Sequence, residues 1–247
     1  MSENKFNIIN LKRFNFLFMA DMTPRKGWQY LLEAYCKEFR PEENVSLTFK
    51  VYFKDFSLES QQECKGKIKD FANTIGYNIN GNTAPIYFYG HCLPNNLVPK
   101  FVNSFDCLVS PHSGEAWGLL NSEAMLLKKI VIATNYSGNL EFMNSSNSLL
   151  IDIDKWIPIP EEMIQINPNY YGLEWPVPSV TNLRKLMRQA FKENMNQLKQ
   201  NAHSQIINNF NYEIITNKIQ NAIQEILATK KDKVVENADI ISNNISK

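Results

Sequence analysis

The chain has 247 residues, enough for one large domain or two small ones, and its 44% hydrophobic and 21% charged composition is typical of a packed protein. A formal net charge of +1 argues against non-specific binding of nucleic acid or a membrane surface through bulk electrostatics. Four cysteines without CxxC spacing and only three histidines argue against a zinc site. The polar N-terminus and the lack of a long apolar run predict a cytoplasmic protein without a transmembrane segment.

Two hydrophobic periods alternate through the first two thirds of the sequence. Runs rich in β-branched and aromatic residues predict buried strands, and apolar residues three and four apart predict helices. The predicted strands are 14–22, 45–53, 84–91, 106–112, 130–137 and 148–154. The predicted helices are 27–39, 58–76, about 95–105, one beginning near Leu119, and 139–144. This alternation predicts an α/β fold, a Rossmann-like doubly wound parallel sheet of about six strands.

The last third of the sequence changes character. Proline, tryptophan and tyrosine accumulate over 155–178, where we expect no regular element. From Ser179 onward the periodicity predicts C-terminal helices at 179–195, 198–210 and 212–228. The domain boundaries that we expect are an N-terminal extension over 1–13, one domain over 14–228, and a polar tail over 229–247 that frays or is disordered.

The stretch SGEAWGLLNSEAM, residues 113–125, places two glutamates at a predicted strand-to-helix corner. In open α/β sheets, ligands bind outside the carboxyl ends of the strands, where such corners lie. Gly114 and Gly118 let the backbone approach a ligand, and the helix start offers unpaired N–H groups that favour anions. Taken singly, Glu115 is an exposed loop charge and Glu123 favours the helix dipole. Together with the glycines, they indicate a binding site.

The corner belongs to a longer pattern. Segments 113–125, 131–134 and 137–141 resemble the donor-binding half of the retaining GT-B glycosyltransferases of the family-4 group, also called glycosyl transferases group 1. The glutamates match that group's spacing of two glutamates separated by seven residues. Four further segments occur in the order expected for the family: TPRKGWQYLLEAYCKEF (23–39), YFYGH (87–91), FDCLVSPH (105–112) and PSVTNLRKLMRQAF (178–191). The resemblance covers about residues 14 to 227 and implies one half of a GT-B fold.

The resemblance also implies roles for the matched residues. Lys26, with Arg25, would neutralise the diphosphate of a nucleotide-sugar donor and stabilise the departing nucleoside diphosphate. Glu115 would bind sugar hydroxyls and stabilise an oxocarbenium-like transition state, and Glu123 would hold the ribose hydroxyls. The loop and the helix start would cradle the phosphates and sugar through Gly114, Ala116, Trp117, Gly118 and Leu119. Lys26 alone is interpreted as a solvated first-turn lysine, but a cation is unfavourable at a helix start unless an anion binds there.

Such enzymes transfer the sugar with retention of configuration and without a metal or other cofactor. The Asp152-Ile153-Asp154 triplet resembles the acidic motif with which other glycosyltransferases hold manganese, but it closes a predicted buried strand. Two departures from the family are visible. Met19 and Ala20 stand where the family often has a phosphate-binding Gly-Arg pair, and Lys128 with Ile130 replaces the usual glycine and proline before the fifth strand.

Because GT-B enzymes have two domains, two functions stay open for this chain. A GT-B enzyme has a second, N-terminal acceptor-binding domain, so this chain needs such a domain or a partner chain for transfer. The alternative is a non-catalytic nucleotide-sugar-binding or interaction module. No G-x-G-x-x-G follows the first strand, which argues against a dehydrogenase. The base, sugar and acceptor stay open, as does the choice between sugar stacking and packing for the aromatic residues Trp156, Tyr170, Tyr171 and Trp175.

Overall fold

The structure, a computed structural model, describes residues 11–245, with side chains as far as residue 228. The strands are β1 Phe14–Asp21, β2 Val45–Tyr52, β3 Ile86–Tyr89, β4 Cys107–Ser110, β5 Ile130–Thr134, β6 Leu149–Ile151, β7 Ile153–Pro158 and β8 Glu174–Pro178. The α-helices are α1 Trp28–Glu38, α2 Leu58–Thr74, α3 Val98–Asn103, α4 Leu119–Leu126, α5 Glu161–Ile166, α6 Val180–Lys192, α7 Asn196–Asn209 and α8 Tyr212–Ile245. Short 3-10 helices lie at Pro24–Lys26, Asn95–Leu97, Gly138–Glu141 and Pro168–Tyr170.

The first six strands form one parallel sheet in the order β3-β2-β1-β4-β5-β6. Strand β1 pairs with β2 along its whole length, from Phe14 opposite Val45 to Asp21 opposite Tyr52. The chain order reverses direction between β1 and β4, which are neighbours in the sheet. In doubly wound folds the ligand crevice lies at this switch point. The predicted six-stranded Rossmann-like sheet is therefore confirmed.

The main core lies between the sheet and the helices α1 and α6. Alternation along β1 and β2 places Phe16, Phe18, Leu47 and Phe49 on one face, where all four side chains are buried. The helices contribute Leu31, Leu32, Tyr35, Leu183 and Met187 to the same cluster. The aromatic rings contact edge to face, as between Phe16 and Tyr35, whose centroids are 6.3 Å apart. This packing fixes the ends of β1 and α1, which border the site.

A cluster of charged side chains joins α6 to the end of α1. Arg188 donates from Nε to Glu38 at 2.7 Å and also bonds the carboxylate of Glu43. Its guanidinium lies 4.5 Å from the centroid of the Phe39 ring. The hydrogen bond from Arg188 lowers the pKa of the Glu43 carboxyl. Charge-assisted bonds of this kind are stronger than neutral ones, and here they connect elements far apart in sequence.

The prediction of no regular element over 155–178 is wrong. Strands β7 and β8 form an antiparallel hairpin in which Ile157 lies opposite Trp175 and Pro158 opposite Glu174. Helix α5 lies in the connection between them. Proline cannot donate to a strand ladder, so its abundance argues against strands inside a sheet. In a two-stranded ribbon both strands are edges, and proline is tolerated there.

The described chain divides into two compact units between Ser204 and Gln205. The first unit holds the sheet, the hairpin and α1 to α6, and the second consists of the end of α7 with α8. The three predicted C-terminal helices are confirmed as α6, α7 and α8, and the backbone of α8 continues to Ile245, inside the predicted tail 229–247. The extension 1–13 lies mostly outside the described residues, so the expected domain boundaries stay a prediction.

Candidate functional site

A cavity of about 290 Å³ opens at the switch point of the sheet. It lies between the carboxyl ends of β1 and β4 and the beginning of α4. Its walls comprise Phe18, Met19, Ala20, Lys26, Leu108, Val109, Ser110, Glu115, Ala116, Trp117, Gly118, Leu119, Leu120 and Asn121. The fold therefore places Glu115 and Lys26, from the glutamate corner and the Arg-Lys-Gly segment, on the wall of one cavity.

Lys26 and Glu115 form an ion pair on the wall of this cavity. Lys26 Nζ lies 2.6 Å from Glu115 Oε2, and each side chain is 17% exposed. Burial by itself would raise the pKa of the Glu115 carboxyl, but the hydrogen bond and charge of Lys26 outweigh it and lower that pKa. The carboxylate is therefore ionised at neutral pH. Lys26 can therefore bind a negatively charged ligand group, and Glu115 can bind a positively charged one.

The segment before α1 is tied to the loop after β4. Arg25 Nη1 donates to the carbonyl oxygen of Gly114 at 2.5 Å, and the Ser113 N–H donates to the Arg25 carbonyl at 2.8 Å. Gly27 has a left-handed backbone with φ 71°, and a Cβ there would lie 1.9 Å from the Pro111 carbonyl oxygen. Only glycine permits this close approach.

A third loop supports Glu115 from the other side. Ser137 Oγ donates to the Glu115 carbonyl at 2.6 Å and accepts from the Glu115 N–H at 3.0 Å. The Gly138 N–H donates to the same carbonyl at 3.0 Å. Ser137 has φ 83°, a left-handed conformation that costs energy for a residue with a Cβ. Three loops thus fix the backbone of Glu115 before any ligand arrives.

Helix α4 begins at the cavity wall. Its N-cap, Gly118, has φ 86° and contributes no side-chain capping bond. The first N–H groups of a helix lack partners within the helix and carry a partial positive charge. Because Gly118, Leu119 and Leu120 line the cavity, these donors border the same space as Lys26. The site therefore combines a cation with a helix start, which suits a bound phosphate.

Glu123 lies one turn further along α4, on the face that carries the exposed side chain of Leu119. The described residues that line the 290 Å³ cavity do not include it. Burial raises the pKa of its carboxyl, since Glu123 has no cation beside it in the part of the chain that the structure describes. Its predicted role toward a ribose stays a prediction.

His112 is a site residue that the sequence analysis missed. Its ring is fully buried, and neither ring nitrogen has a hydrogen-bond partner among the described residues. Burial lowers the pKa of His112 to about 4; the charge of Glu115 opposes this shift, and the charges of Lys26 and Arg25 add to it. The imidazole is therefore neutral at pH 7. Buried polar atoms without partners are costly and often mark a functional site. A histidine at the end of the predicted strand 106–112, just before the glutamate loop, was the available signal.

The remaining sequence candidates lie as follows. Met19 and Ala20 line the cavity with apolar groups where the family often has a Gly-Arg pair, and Arg25 lines a second cavity instead. Around Asp152 and Asp154, as elsewhere in residues 11–228, no group of three His, Cys, Asp or Glu side chains could hold a metal ion. Within the described residues, no helix combines the length and apolar character required to cross a membrane.

Comparison with known families decides the assignment. Residues 13–165 match the family described as glycosyl transferases group 1, which is more than half of the chain. The chain belongs to this family. The matched residues include β1, the Lys26 segment, the glutamate corner and the Ser137 loop, so the candidate site of this group 1 glycosyl transferase lies wholly within them. No curated protein matches the chain in sequence.

Solved structures place the group 1 chain in the GT-B fold. The C-terminal domain of a glycosyl transferase group 1 family protein (LpcC) from Francisella tularensis is 17% identical with a TM-score of 0.58, covering 81% of this chain and 88% of that one. Anabaena Alr3699/HepE, crystallised with UDP and glucose, is 16% identical with a TM-score of 0.58, covering 88% and 49%. Sucrose-phosphate synthase from Thermosynechococcus elongatus is 16% identical with a TM-score of 0.60, covering 90% and 47%.

The coverage has a direct consequence. This group 1 chain spans nearly all of an isolated C-terminal domain but about half of the longer structures that it matches. At these identities the likeness shows the fold alone. The six-stranded sheet is thus the counterpart of one GT-B domain.

Proposed function

We propose that the chain is the donor-binding domain of a retaining glycosyltransferase. It binds a nucleotide-diphosphate sugar and takes part in metal-independent glycosyl transfer to an acceptor held by a separate N-terminal domain or partner chain. The observation that carries this proposal is the ion pair between Lys26 and Glu115, set on a cavity wall at the switch point of a parallel sheet. Lys26 provides a cation for the phosphates and Glu115 a carboxylate for the sugar, and the two side chains are hydrogen-bonded to each other.

The diphosphate would lie against Lys26 and the beginning of α4. A cation and unpaired N–H groups stabilise negative charge, and that charge grows on the leaving nucleoside diphosphate as the glycosidic bond breaks. When the phosphates engage Lys26 Nζ, they compete with Glu115 for this cation. Glu115 is then free to accept hydrogen bonds from sugar hydroxyls.

The sugar would face Glu115. Its carboxylate stays ionised because the positive groups around it lower its pKa, so it can stabilise positive charge that develops at the anomeric carbon. The neutral ring of His112 is fully buried near this carboxylate and lines neither cavity, so it adds no charge beside the sugar. Glu123, one helix turn beyond the phosphates, would hold the ribose hydroxyls.

The comparisons support this arrangement. Structures of Anabaena Alr3699/HepE contain UDP, UDP with glucose, and UDP-glucose. The longer relatives are about twice the length of this chain, in keeping with a separate acceptor domain. The four free cysteines, three of them buried, fit a reducing compartment, and we place the reaction in the cytoplasm.

A second candidate is a non-catalytic module that binds a nucleotide sugar. Met19 and Ala20 favour it, because they line the cavity with apolar groups where the family often has a phosphate-binding Gly-Arg pair. Slow release of free sugar from a bound donor, abolished by Glu115→Gln, would support a transferase. Tight donor binding without any release would favour the binding module.

The deciding experiment is calorimetry with UDP, GDP and ADP on the wild type, Lys26→Ala and Glu123→Ala. We expect one nucleotide to bind, and each substitution to weaken it by about 10- to 100-fold, because each removes a charged hydrogen-bonding group. In a thermal shift, a ligand at about a hundred times its dissociation constant adds about 2.7 kcal/mol of stability.

Matched substitutions elsewhere serve as controls. Lys185→Ala on α6 and Glu42→Ala in the turn before β2 remove exposed charges far from the cavity walls, and they should leave binding unchanged. Failure of the wild type to bind any of the three nucleotides would contradict the proposal for this chain.

A further inference from the structure

A second cavity, of about 500 Å³, lies on the other side of the Glu115 loop. It shares Glu115 and Ala116 with the first cavity. Lys26 lines only the first cavity and Arg25 only the second. Because both cavities border Glu115, a ligand with its phosphates in the first cavity can place its adjoining group in the second.

The hairpin builds the outer wall of this second cavity. The residues that it contributes, directly or through its connecting segment, are Ile159, Tyr170, Glu174 and Trp175. Tyr136, from the end of β5, completes the wall, and its ring meets Trp156 of β7 edge to face at 5.2 Å. This contact holds the hairpin against the sheet. Strand β7 lies within the part of the chain that matches the family, whereas β8 lies beyond it.

Two buried polar atoms on these walls have no partner. Trp175 is only 6% exposed and its indole N–H makes no hydrogen bond to any described residue. Ser113, 2% exposed, has an unpaired Oγ within the same described set. A buried donor or acceptor without a partner is costly, and native proteins rarely keep one without a function. Both residues line the second cavity, so a ligand that enters it lies beside residues that carry unpaired buried polar atoms.

The charges of the second cavity favour a neutral ligand. Glu115 is already paired with Lys26, and the Arg25 guanidinium is bonded to the Gly114 carbonyl. Glu174, on the hairpin, has no ion pair to any described side chain. Carboxylates accept hydrogen bonds from hydroxyls and repel a second carboxylate. The mixture of carboxylates, an indole donor and tyrosine rings suits a polyhydroxylated ring with apolar faces.

We infer that the hairpin-lined cavity holds the sugar of the donor, and that Glu174, Trp175 and Tyr170 select a neutral hexose against a hexuronic acid. The inference rests on the proposed donor function. It assigns specificity to an element outside the glutamate corner. Trp175 donates to a sugar hydroxyl, Tyr170 packs against the ring, and Glu174 accepts from a hydroxyl while repelling a sugar carboxylate.

The test compares a nucleotide with its sugar conjugates. Calorimetry would give dissociation constants for UDP, UDP-glucose and UDP-glucuronic acid with the wild type, Trp175→Phe and Glu174→Gln. If GDP is the nucleotide bound, then GDP, GDP-mannose and GDP-mannuronic acid make the same comparison. Circular dichroism would establish that each variant is folded.

We expect the affinity for the free nucleotide to be unchanged in both hairpin variants. Trp175→Phe keeps an aromatic ring but removes the indole N–H donor, so it should weaken binding of the hexose conjugate by about tenfold. Glu174→Gln removes the repulsion, so it should strengthen binding of the uronic acid conjugate by about tenfold relative to the hexose conjugate. Glu162→Gln, an exposed glutamate on α5 outside the cavity walls, should change none of the constants.

The outcomes separate this inference from the proposed function. If the wild type binds a nucleotide but the hairpin variants leave the sugar conjugates unaffected, the inference is wrong and the donor function stands. If the variants weaken the free nucleotide as much as its conjugates, the cavity is not a sugar site. If no nucleotide binds to the wild type, both the proposed donor function and this inference are wrong.

Discussion

His112 makes the folding stability of the protein depend on pH. Burial lowers the pKa of His112 from 6.5 to about 4, so the folded protein leaves the ring neutral where the unfolded chain protonates it. Between these two values the unfolded state binds more protons, and stability therefore falls as the pH falls. The lowered pKa of Glu115 adds a separate loss only below its ordinary value of 4.5. In the interval from 6.5 down to 4.5, His112 lowers the stability as the pH falls, and Glu123, whose carboxyl has a raised pKa, opposes this loss.

We predict that the free energy of unfolding decreases by up to about 1.4 kcal/mol per pH unit over this interval because of His112. His112→Asn should flatten the dependence, since asparagine does not titrate. Urea unfolding at several pH values measures the slope. His91→Asn, at an exposed position after β3, should retain the wild-type slope. A wild-type slope in His112→Asn would contradict the assignment.

At the scale of single residues, the sequence singled out Glu115 and Lys26 as candidates but could not show their contact. The glutamate spacing and the Arg-Lys-Gly segment identified Glu115 and Lys26. Their ion pair joins residues that are 89 positions apart, and only the sheet order brings them together. The burial of His112 and the unpaired indole N–H of Trp175 also depend on tertiary packing. No local pattern encodes such properties.

At the scale of elements, glycines let the loops of the site interlock. A Cβ on Gly138 would lie 1.8 Å from the Ala116 carbonyl oxygen, and one on Gly27 would lie 1.9 Å from that of Pro111. Both obstacles are backbone atoms of the loop that carries Glu115, so a neighbouring side chain cannot simply move aside. The three loops can therefore adopt their observed contacts only with glycine at these positions.

We predict that Gly27→Ala and Gly138→Ala each lower the free energy of unfolding by at least about 2 kcal/mol, because the backbone must shift. Both should also weaken nucleotide binding, since the displaced loop carries Glu115. Gly66→Ala is the matched control. Gly66 lies in α2 with no atom within 4 Å of an added Cβ, and its substitution should stabilise the protein by about 0.5–1 kcal/mol. Chemical denaturation measures all three, and equal effects would contradict the interlock.

The elements show where sequence patterns are reliable. The six parallel strands were predicted because buried strands are continuous runs of apolar and β-branched residues. The hairpin was missed because Pro158, Pro176 and Pro178 are uncommon inside strands. Its register places Trp156 opposite Pro176 and Ile157 opposite Trp175, with a shift between Ile153 and Lys155. An irregular ribbon of this kind lacks the strict alternation that identifies a half-buried strand.

At the scale of the whole molecule, α8 carries an apolar stripe that is open to solvent. Its members are Ile219, Ile223, Ile226 and Leu227, which are 55%, 52%, 58% and 61% exposed. Spacings of four, three and one residues place them on one side of the helix. Contiguous apolar surface of this kind marks an interaction site.

We predict that the isolated chain self-associates through this stripe, because burying it against a second copy removes apolar surface from water. Sedimentation equilibrium at increasing protein concentration should show a species heavier than one chain. The triple variant Ile219→Gln, Ile223→Gln and Ile226→Gln should stay monomeric over the same range. Glutamine keeps a high helix propensity, so α8 itself should persist in the circular dichroism spectrum.

The control variant replaces exposed apolar residues of the first unit and leaves α8 unchanged. Leu58→Gln with Ile166→Gln alters side chains that are 74% and 71% exposed in the first unit, and this variant should associate as the wild type does. A monomeric wild type would contradict the role of the stripe. Equal loss of association in both variants would show general hydrophobic adhesion instead. Loss confined to the α8 variant would identify this helix face as the surface through which the chain associates.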